Sequence, residues 1–238
     1  MSKHFVLVHG AWHGGWCWDG VIHHLAAAGH TAEAPTMPGH APDENRANIT
    51  FDSYIDKLVE VLSRQAKPVV LVGHSSGGFM VQSAAPKVAA KIERLIFVNG
   101  FILPDGMAQF DLVPPEVAQG MTAAAEASPD NTVPVDEGFT RNVLMAGDPP
   151  DIQDKLLARL VPQPLALFTT KINAQPFNQL TIPKTVLFCT GDISLPPGAY
   201  LEMAKGLGDY NLLEIDGGHE TLFTNPELMA QKLIQAAT

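Results

Sequence analysis

Residues 69–78 read Val69-Val70-Leu71-Val72-Gly73-His74-Ser75-Ser76-Gly77-Gly78: an apolar, β-branched run that stops abruptly in a turn of small residues. A helix-compatible stretch, Phe79 to Ala90, follows at once. Strand, sharp turn and helix in that order are the context a G-x-S-x-G nucleophile elbow requires. The turn is so tight that the serine backbone is strained, and glycine is needed at Gly73 and Gly77, where side chains would collide. Ser75 is thereby lifted to the end of the strand, at the start of the next helix, as a candidate nucleophile. The five-residue pattern alone also fits a glycine-rich turn with an incidental serine; the flanking strand and helix weigh against that.

The elbow predicts a parallel sheet, and the neighbouring sequence alternates accordingly. Strand-like runs at Phe5–His9, Thr31–Ala34, Ile92–Val98, Thr185–Thr190 and Asn211–Ile215 join the elbow strand to make six. Helical patterns lie between them. Trp16–Ala28 carries Trp18, Val21, Ile22 and Leu25 on one face and is closed by Gly29, and Phe51–Arg64 carries Tyr54, Ile55, Leu58, Val61 and Leu62. Further helices are expected near Tyr200–Gly206 and from Pro226 to Ala236. This βα alternation predicts an α/β chain with a mostly parallel six-stranded sheet covered by helices on both faces.

Between Leu103 and Ile182 the alternation breaks. Ten of the 19 prolines fall there. The helical pieces (Pro115–Ala125, Glu137–Met145, Asp151–Leu160) are short, and no buried strand is expected. The segment reads as a helical cap inserted at about 104–182 in a single domain spanning 1–238.

At 46% hydrophobic and 17% charged residues the chain can bury a large core. A net charge of −10 argues against nucleic acid and anionic membrane as partners. The longest apolar stretch, Leu95 to Leu103, is interrupted by Asn99 and Gly100, so no membrane span is expected, and the chain is read as cytoplasmic. Cys17 and Cys189 are too few and too distant for a disulfide framework or zinc site. His9 and His13 stand among glycines rather than on a helix, so no metal is expected. No dinucleotide or phosphate-loop fingerprint occurs, and no organic cofactor is inferred.

A serine hydroxyl needs an adjacent base. Eight of the nine histidines lie at or before position 74; the ninth, His219, stands in the loop after the last strand. That loop emerges at the carboxyl edge of the sheet, as Ser75 does, so His219 is the candidate base. Asp192, directly after Thr185–Thr190, is the candidate carboxylate, with Asp105 the second choice; Asp216 is too close along one loop to reach the imidazole. An oxyanion hole needs two N–H groups: one from Ser76, after the nucleophile, and one from the glycine-rich loop after the first strand, where Ala11 is the candidate. Gly10, Trp12 and Phe79 are expected around the substrate, while Trp16 and Trp18 fit pocket or core equally.

The segments Val8-His9-Gly10-Ala11-Trp12-His13-Gly14-Gly15-Trp16-Cys17-Trp18, Gly73-His74-Ser75-Ser76-Gly77-Gly78 and Cys189-Thr190-Gly191-Asp192 resemble the plant methylesterase/hydroxynitrile lyase family and its bacterial esterase relatives. The resemblance implies an α/β-hydrolase fold, the triad order Ser75, Asp192, His219, no cofactor, a small-molecule ester as substrate and, in many members, a homodimer. It also implies a distinction. Lyase members generally carry threonine where Gly10 stands and lysine just after the catalytic histidine, where this chain has Glu220. The expected activity is therefore carboxylesterase-like hydrolysis of small or medium carboxylic esters through an acyl-enzyme. A lyase of the hydroxynitrile type, a cofactor-free dioxygenase and a slow-turnover small-ligand receptor remain as alternatives.

Overall fold

The structure is a computed structural model and describes residues 2–238. Four strands precede the insertion: β1 (His4–Val8), β2 (Thr31–Glu33), β3 (Val69–His74) and β4 (Ile92–Val98). Two short strands within the insertion, β5 (Thr132–Val133) and β6 (Gln163–Pro164), are followed by β7 (Lys184–Cys189) and β8 (Asn211–Ile215). Six of them form one sheet in the order β2-β1-β3-β4-β7-β8. Every pairing in it is parallel, so the sheet is wholly rather than mostly parallel.

Parallel strands covered on both sides read as continuous apolar runs, and β3 is buried at every position. The helices α2 (Phe51–Ser63) and α3 (Gly77–Ala84) contribute to the core on one face. Helix α1 (Asp19–Ala27) and the C-terminal helix Pro226–Ala236 pack with the other face. Local signals fix the ends. Thr50 and Ser53 form a reciprocal capping box before α2, and the Asn225 side chain caps the final helix, which begins at Pro226. The expected helix Trp16–Ala28 is split into a 3₁₀ turn at Gly15–Trp18 and α1. Its predicted stop, Gly29, has φ +82°.

The chain leaves β1 outward to β2, then returns across β1 to β3. The carboxyl ends of β1 and β3 therefore border a topological switch point, where open α/β sheets leave a crevice. The segment between β4 and β7 differs from the sequence reading in two respects. Besides α4 (Pro115–Glu126) and other short helical pieces, it holds the antiparallel pair β5–β6, registered Thr132 to Pro164 and Val133 to Gln163. Two-residue strands carry no periodicity, which is why alternation could not reveal them. The piece expected as one helix over Glu137–Met145 is a single α turn, Glu137–Phe139, running into a π turn, Thr140–Leu144.

Candidate active site

The left-handed backbone region is uncommon for residues other than glycine, yet Trp12 (φ +62°), Ser75 (φ +52°) and Asn99 (φ +37°) all occupy it. They stand just beyond the ends of β1, β3 and β4 respectively. Strain of this kind persists only where the surroundings overdetermine it. At Ser75 they do: its N–H donates to Val98 O (3.3 Å), and its carbonyl accepts from Gly78 N (2.9 Å) and Phe101 N (3.0 Å). A Cβ on Gly73 would stand 2.7 Å from Gly77 O, and one on Gly77 the same distance from Val8 O. The glycine requirement read from the sequence is thus a matter of backbone meeting backbone.

Ser75, His219 and Asp192 border one cavity of about 980 Å³. His219 Nδ1 donates to Asp192 Oδ2 at 2.7 Å, with the two side chains 4% and 0% exposed. This fixes the tautomer and leaves Nε2 for other chemistry. No hydrogen bond joins Ser75 Oγ to His219 among the described residues, although both face the same space; such contacts tighten when substrate is bound. Burial alone would lower the His219 pKa, but the Asp192 carboxylate overrides it and the net shift is upward. Asp192 is held well below the carboxylate range. Burial opposes this, while the His219 charge and hydrogen bonds from His219, Ser194 and Asn99 favour the ionised form.

Asp105, the second candidate for the acid, is engaged elsewhere. It accepts Ala174 N (2.9 Å) and Gln175 Nε2 (2.8 Å). Two residues the sequence reading did not assign complete the carboxylate's surroundings. Asn99 donates its amide to Asp192 Oδ2 while its Oδ1 accepts Cys189 N (2.7 Å), tying β4 to β7. Ser194 N donates to Asp192 Oδ1 (2.8 Å), and its hydroxyl lies 3.3 Å from His219 Nδ1 and 2.9 Å from the Tyr200 hydroxyl. His74 Nε2 donates to the His219 carbonyl (3.0 Å). Burial and the nearby His219 push the His74 pKa down to about 3, so it stays a neutral strut.

The backbone N–H groups of Ala11 and Ser76 have no protein acceptor among the described residues, and both residues line the cavity. The loop bearing Ala11 is anchored by histidines. His13 Nδ1 donates to Ala11 O (2.7 Å), His9 Nδ1 to Gly10 O (2.8 Å), and His9 Nε2 accepts Met37 N (3.0 Å). Trp12 ties the same loop to the insertion: its N–H donates to Gln163 Oε1 (3.1 Å), its indole to Val133 O (3.2 Å), and its carbonyl accepts Val161 N (3.0 Å). Ser76 Oγ donates to Gln109 Oε1 (2.8 Å) from the insertion.

Of the expected pocket residues, Trp12 lines the cavity and Phe79 does not. Phe79 is fully buried in the core, its ring stacked at 5.6 Å on Phe51 of α2, because α3 turns that side chain under the sheet. Gly10 abuts Ser75 instead of lining the wall: a Cβ there would stand 2.8 Å from Ser75 Cβ and 3.2 Å from its Oγ. Trp18 belongs to the core, and Trp16 packs with Phe223 and under the Arg159 guanidinium, 4.4 Å from its ring centre.

A profile of the alpha/beta hydrolase family matches residues 5–232. The chain belongs to the alpha/beta hydrolase family. This alpha/beta hydrolase is 29% identical to the carbendazim hydrolyzing esterase of Nocardioides sp. (strain SG-4G), over 96% of this chain and 97% of that protein. It is 27% identical to the alpha-hydroxynitrile lyase of Arabidopsis thaliana, over 100% of this chain and 98% of that one. Among solved structures, an extracellular alpha/beta-hydrolase from a Paenibacillus species, described as structurally and functionally homologous to tobacco salicylic acid binding protein 2, superposes with a TM-score of 0.93. It is 28% identical, over 98% of both chains. A bacterial esterase and a plant hydroxynitrile lyase both stand among the relatives, as the signature from Val8 to Trp18 implies. No helix among the described residues is long and apolar enough to cross a membrane.

Proposed function

We propose that this protein, a carboxylic ester hydrolase, works through Ser75 as nucleophile, His219 as general acid–base and Asp192 as the group that orients and charges the imidazole. The observation that carries the reading is the buried 2.7 Å contact between His219 Nδ1 and Asp192 in the cavity that Ser75 borders. Ser75 Oγ adds to the ester carbonyl carbon and gives its proton to His219 Nε2. The carbonyl electron pair moves onto oxygen, held by the Ala11 and Ser76 N–H groups. As the pair returns, the bond to the alcohol oxygen breaks, and His219 protonates that oxygen. Water then adds to the acyl-serine, its proton going to His219 and on to Ser75 Oγ, and the acid leaves.

Hydroxynitrile cleavage fits the site less well. Where lyase members carry lysine this chain has Glu220, which does not line the cavity; burial alone would neutralise it but the neighbouring histidines keep it ionised, its pKa lowered to about 2, so this position brings no positive charge to receive cyanide. Gly10 lies against Ser75 where a threonine would collide with it. Turnover of p-nitrophenyl acetate by the wild type and by Ser75→Ala tests the reading. A loss of roughly 10⁴-fold or more is expected; undiminished turnover in the variant, or mandelonitrile cleavage faster than that of any ester, overturns it. Ester turnover that persists without oxygen excludes the dioxygenase alternative, and turnover at all excludes the receptor.

A further inference from the structure

The cavity has a marked chemical bias that the triad does not require. At about 980 Å³ it matches the space a drug-sized ligand fills, far more than a methyl ester of a small acid needs. Its apolar wall comes from two separate stretches of chain: Phe110, Val117, Met121 and Phe168 from the insertion, and Ile193 and Leu195 from the loop after β7. Phe110 and Phe168 stack face to face, with centroids 5.1 Å apart. Three lining residues, Val117 at 45%, Phe139 at 37% and Ile193 at 58%, are among the few large apolar side chains exposed to solvent, so the apolar surface runs out to the rim. Scattered exposed hydrophobics are ordinary; clustering on the rim of one cavity marks a binding surface.

Among the described residues no lysine or arginine lines this space, while Asp136 and Asp192 do. Both carboxylates are already engaged, Asp136 by Phe139 N at 2.8 Å and Asp192 within the site. A substrate with its own carboxylate would be desolvated here with no lysine or arginine to receive it. One uncommitted polar group stands out in the wall. Gln109 accepts from Ser76 Oγ through Oε1, and its Nε2 has no protein acceptor among the described residues. It offers a donor beside the oxyanion position.

Resting on the acyl-transfer reading above, we infer that the preferred substrates are uncharged esters bearing an apolar arm of roughly six carbons or more, with Gln109 Nε2 donating to an acceptor near the scissile carbonyl. Small methyl esters and the anionic mono-esters of dicarboxylic acids are disfavoured. The bias also serves release, since a carboxylate product is a poor guest in a largely apolar cavity without lysine or arginine.

The test is a series of p-nitrophenyl esters (acetate, butyrate, hexanoate, octanoate) together with the anionic mono-ester of adipic acid, read as kcat/KM. Complete burial of a methylene is worth about fourfold. The expected result is a rise of at least about tenfold from acetate to hexanoate, and an adipate mono-ester at least about tenfold below hexanoate. Val117→Asp, at a half-exposed rim position that does not threaten folding, should lower the hexanoate-to-acetate ratio at least about threefold. Acetate turned over as well as hexanoate, or the anionic ester as well as its neutral counterpart, overturns the substrate class while leaving the serine mechanism standing. If no ester is turned over, or if Ser75→Ala matches the wild type, both readings fall.

Discussion

His13 Nε2 lies 3.3 Å from Glu220 Oε2, with the two side chains 3% and 0% exposed. The contact is off hydrogen-bond geometry, and neither His13 Nε2 nor the Glu220 carboxylate has another protein partner among the described residues. It joins two loops: His13 also holds the Ala11 carbonyl, and Glu220 is the residue after His219. The oxyanion candidate and the base candidate are therefore clamped by one buried pair beside the reacting atoms.

Glu220→Gln tests this clamp. The Glu220 charge is one of the causes that raise the His219 pKa, so its removal should move the acidic limb of kcat/KM to lower pH. In the wild type that limb should lie above the ordinary histidine value of 6.5, because His219 must be neutral to accept a proton. A limb at the same pH in both proteins removes Glu220 from the electrostatics of the base.

The same variant predicts a stability profile. The folded-state pKa of Glu220 is depressed from 4.5 to about 2, so its contribution is complete above pH 4.5 and is lost as pH falls toward 2. Breaking a buried pair costs about 3 kcal/mol. Urea unfolding of wild type and variant should differ by about that much at pH 7 and converge near pH 2–3; an equal gap at all pH values contradicts it.

Asp192→Asn should leave the fold intact and lower kcat by about 10⁴-fold, because the amide no longer holds the productive imidazole tautomer. Asp105→Asn should change kcat by less than about twofold, since its carboxylate braces only the 174–175 turn. A severe Asp105 variant beside a mild Asp192 one would reverse the assignment of the acid.

Gly10→Thr places a branched side chain where even a Cβ stands 2.8 Å from Ser75 Cβ. Displacing a nucleophile by about 1 Å costs on the order of 100-fold. Esterase activity should fall by that order with no gain of mandelonitrile cleavage. A variant that gains the lyase activity would show that this position, and not the buried charge at Glu220, separates the two reactions.

Asn99→Ala removes both the amide donor to Asp192 and the acceptor for Cys189 N. Loss of about 2–3 kcal/mol in urea unfolding is expected, along with a lower kcat, because the buried Cys189 N–H loses its partner. Asn99→Asp would place a second carboxylate against Asp192 and should lower kcat further; unchanged activity in both variants would make Asn99 a purely structural tie.

Much of this molecule was legible in order along the chain. The inner strands announce themselves because they are largely apolar, whereas the edge strands β2 and β8 carry polar, partly exposed residues and show only through their place in the alternation; each triad candidate stands just beyond a strand end. Ser75, Asp192 and His219 follow from that rule. So does Asn99, the polar interruption of an otherwise apolar stretch, although by itself it resembles a simple break. Less legible was anything decided by side-chain direction. Phe79 stands four residues from Ser75, yet α3 turns it against Phe51. Gln109 opens a single 3₁₀ turn and Ser194 lies in a loop, neither long enough to show periodicity, and Ser76 and His219, which they reach, lie 33 and 25 residues away. The pair β5–β6 is too short to leave a pattern.

The groups assembled around Ser75 come from the ends of β1, β3, β4, β7 and β8, that is, from nearly every strand of the sheet and from positions 11 to 220 of the chain. No stretch that omits the last two strands retains both Ser75 and His219, the proposed nucleophile and base. Turnover in a refolding experiment therefore times the arrival of the C-terminal strands and not the formation of the elbow. A protease cut before β7 should silence the protein even where the β1–β4 half stays ordered.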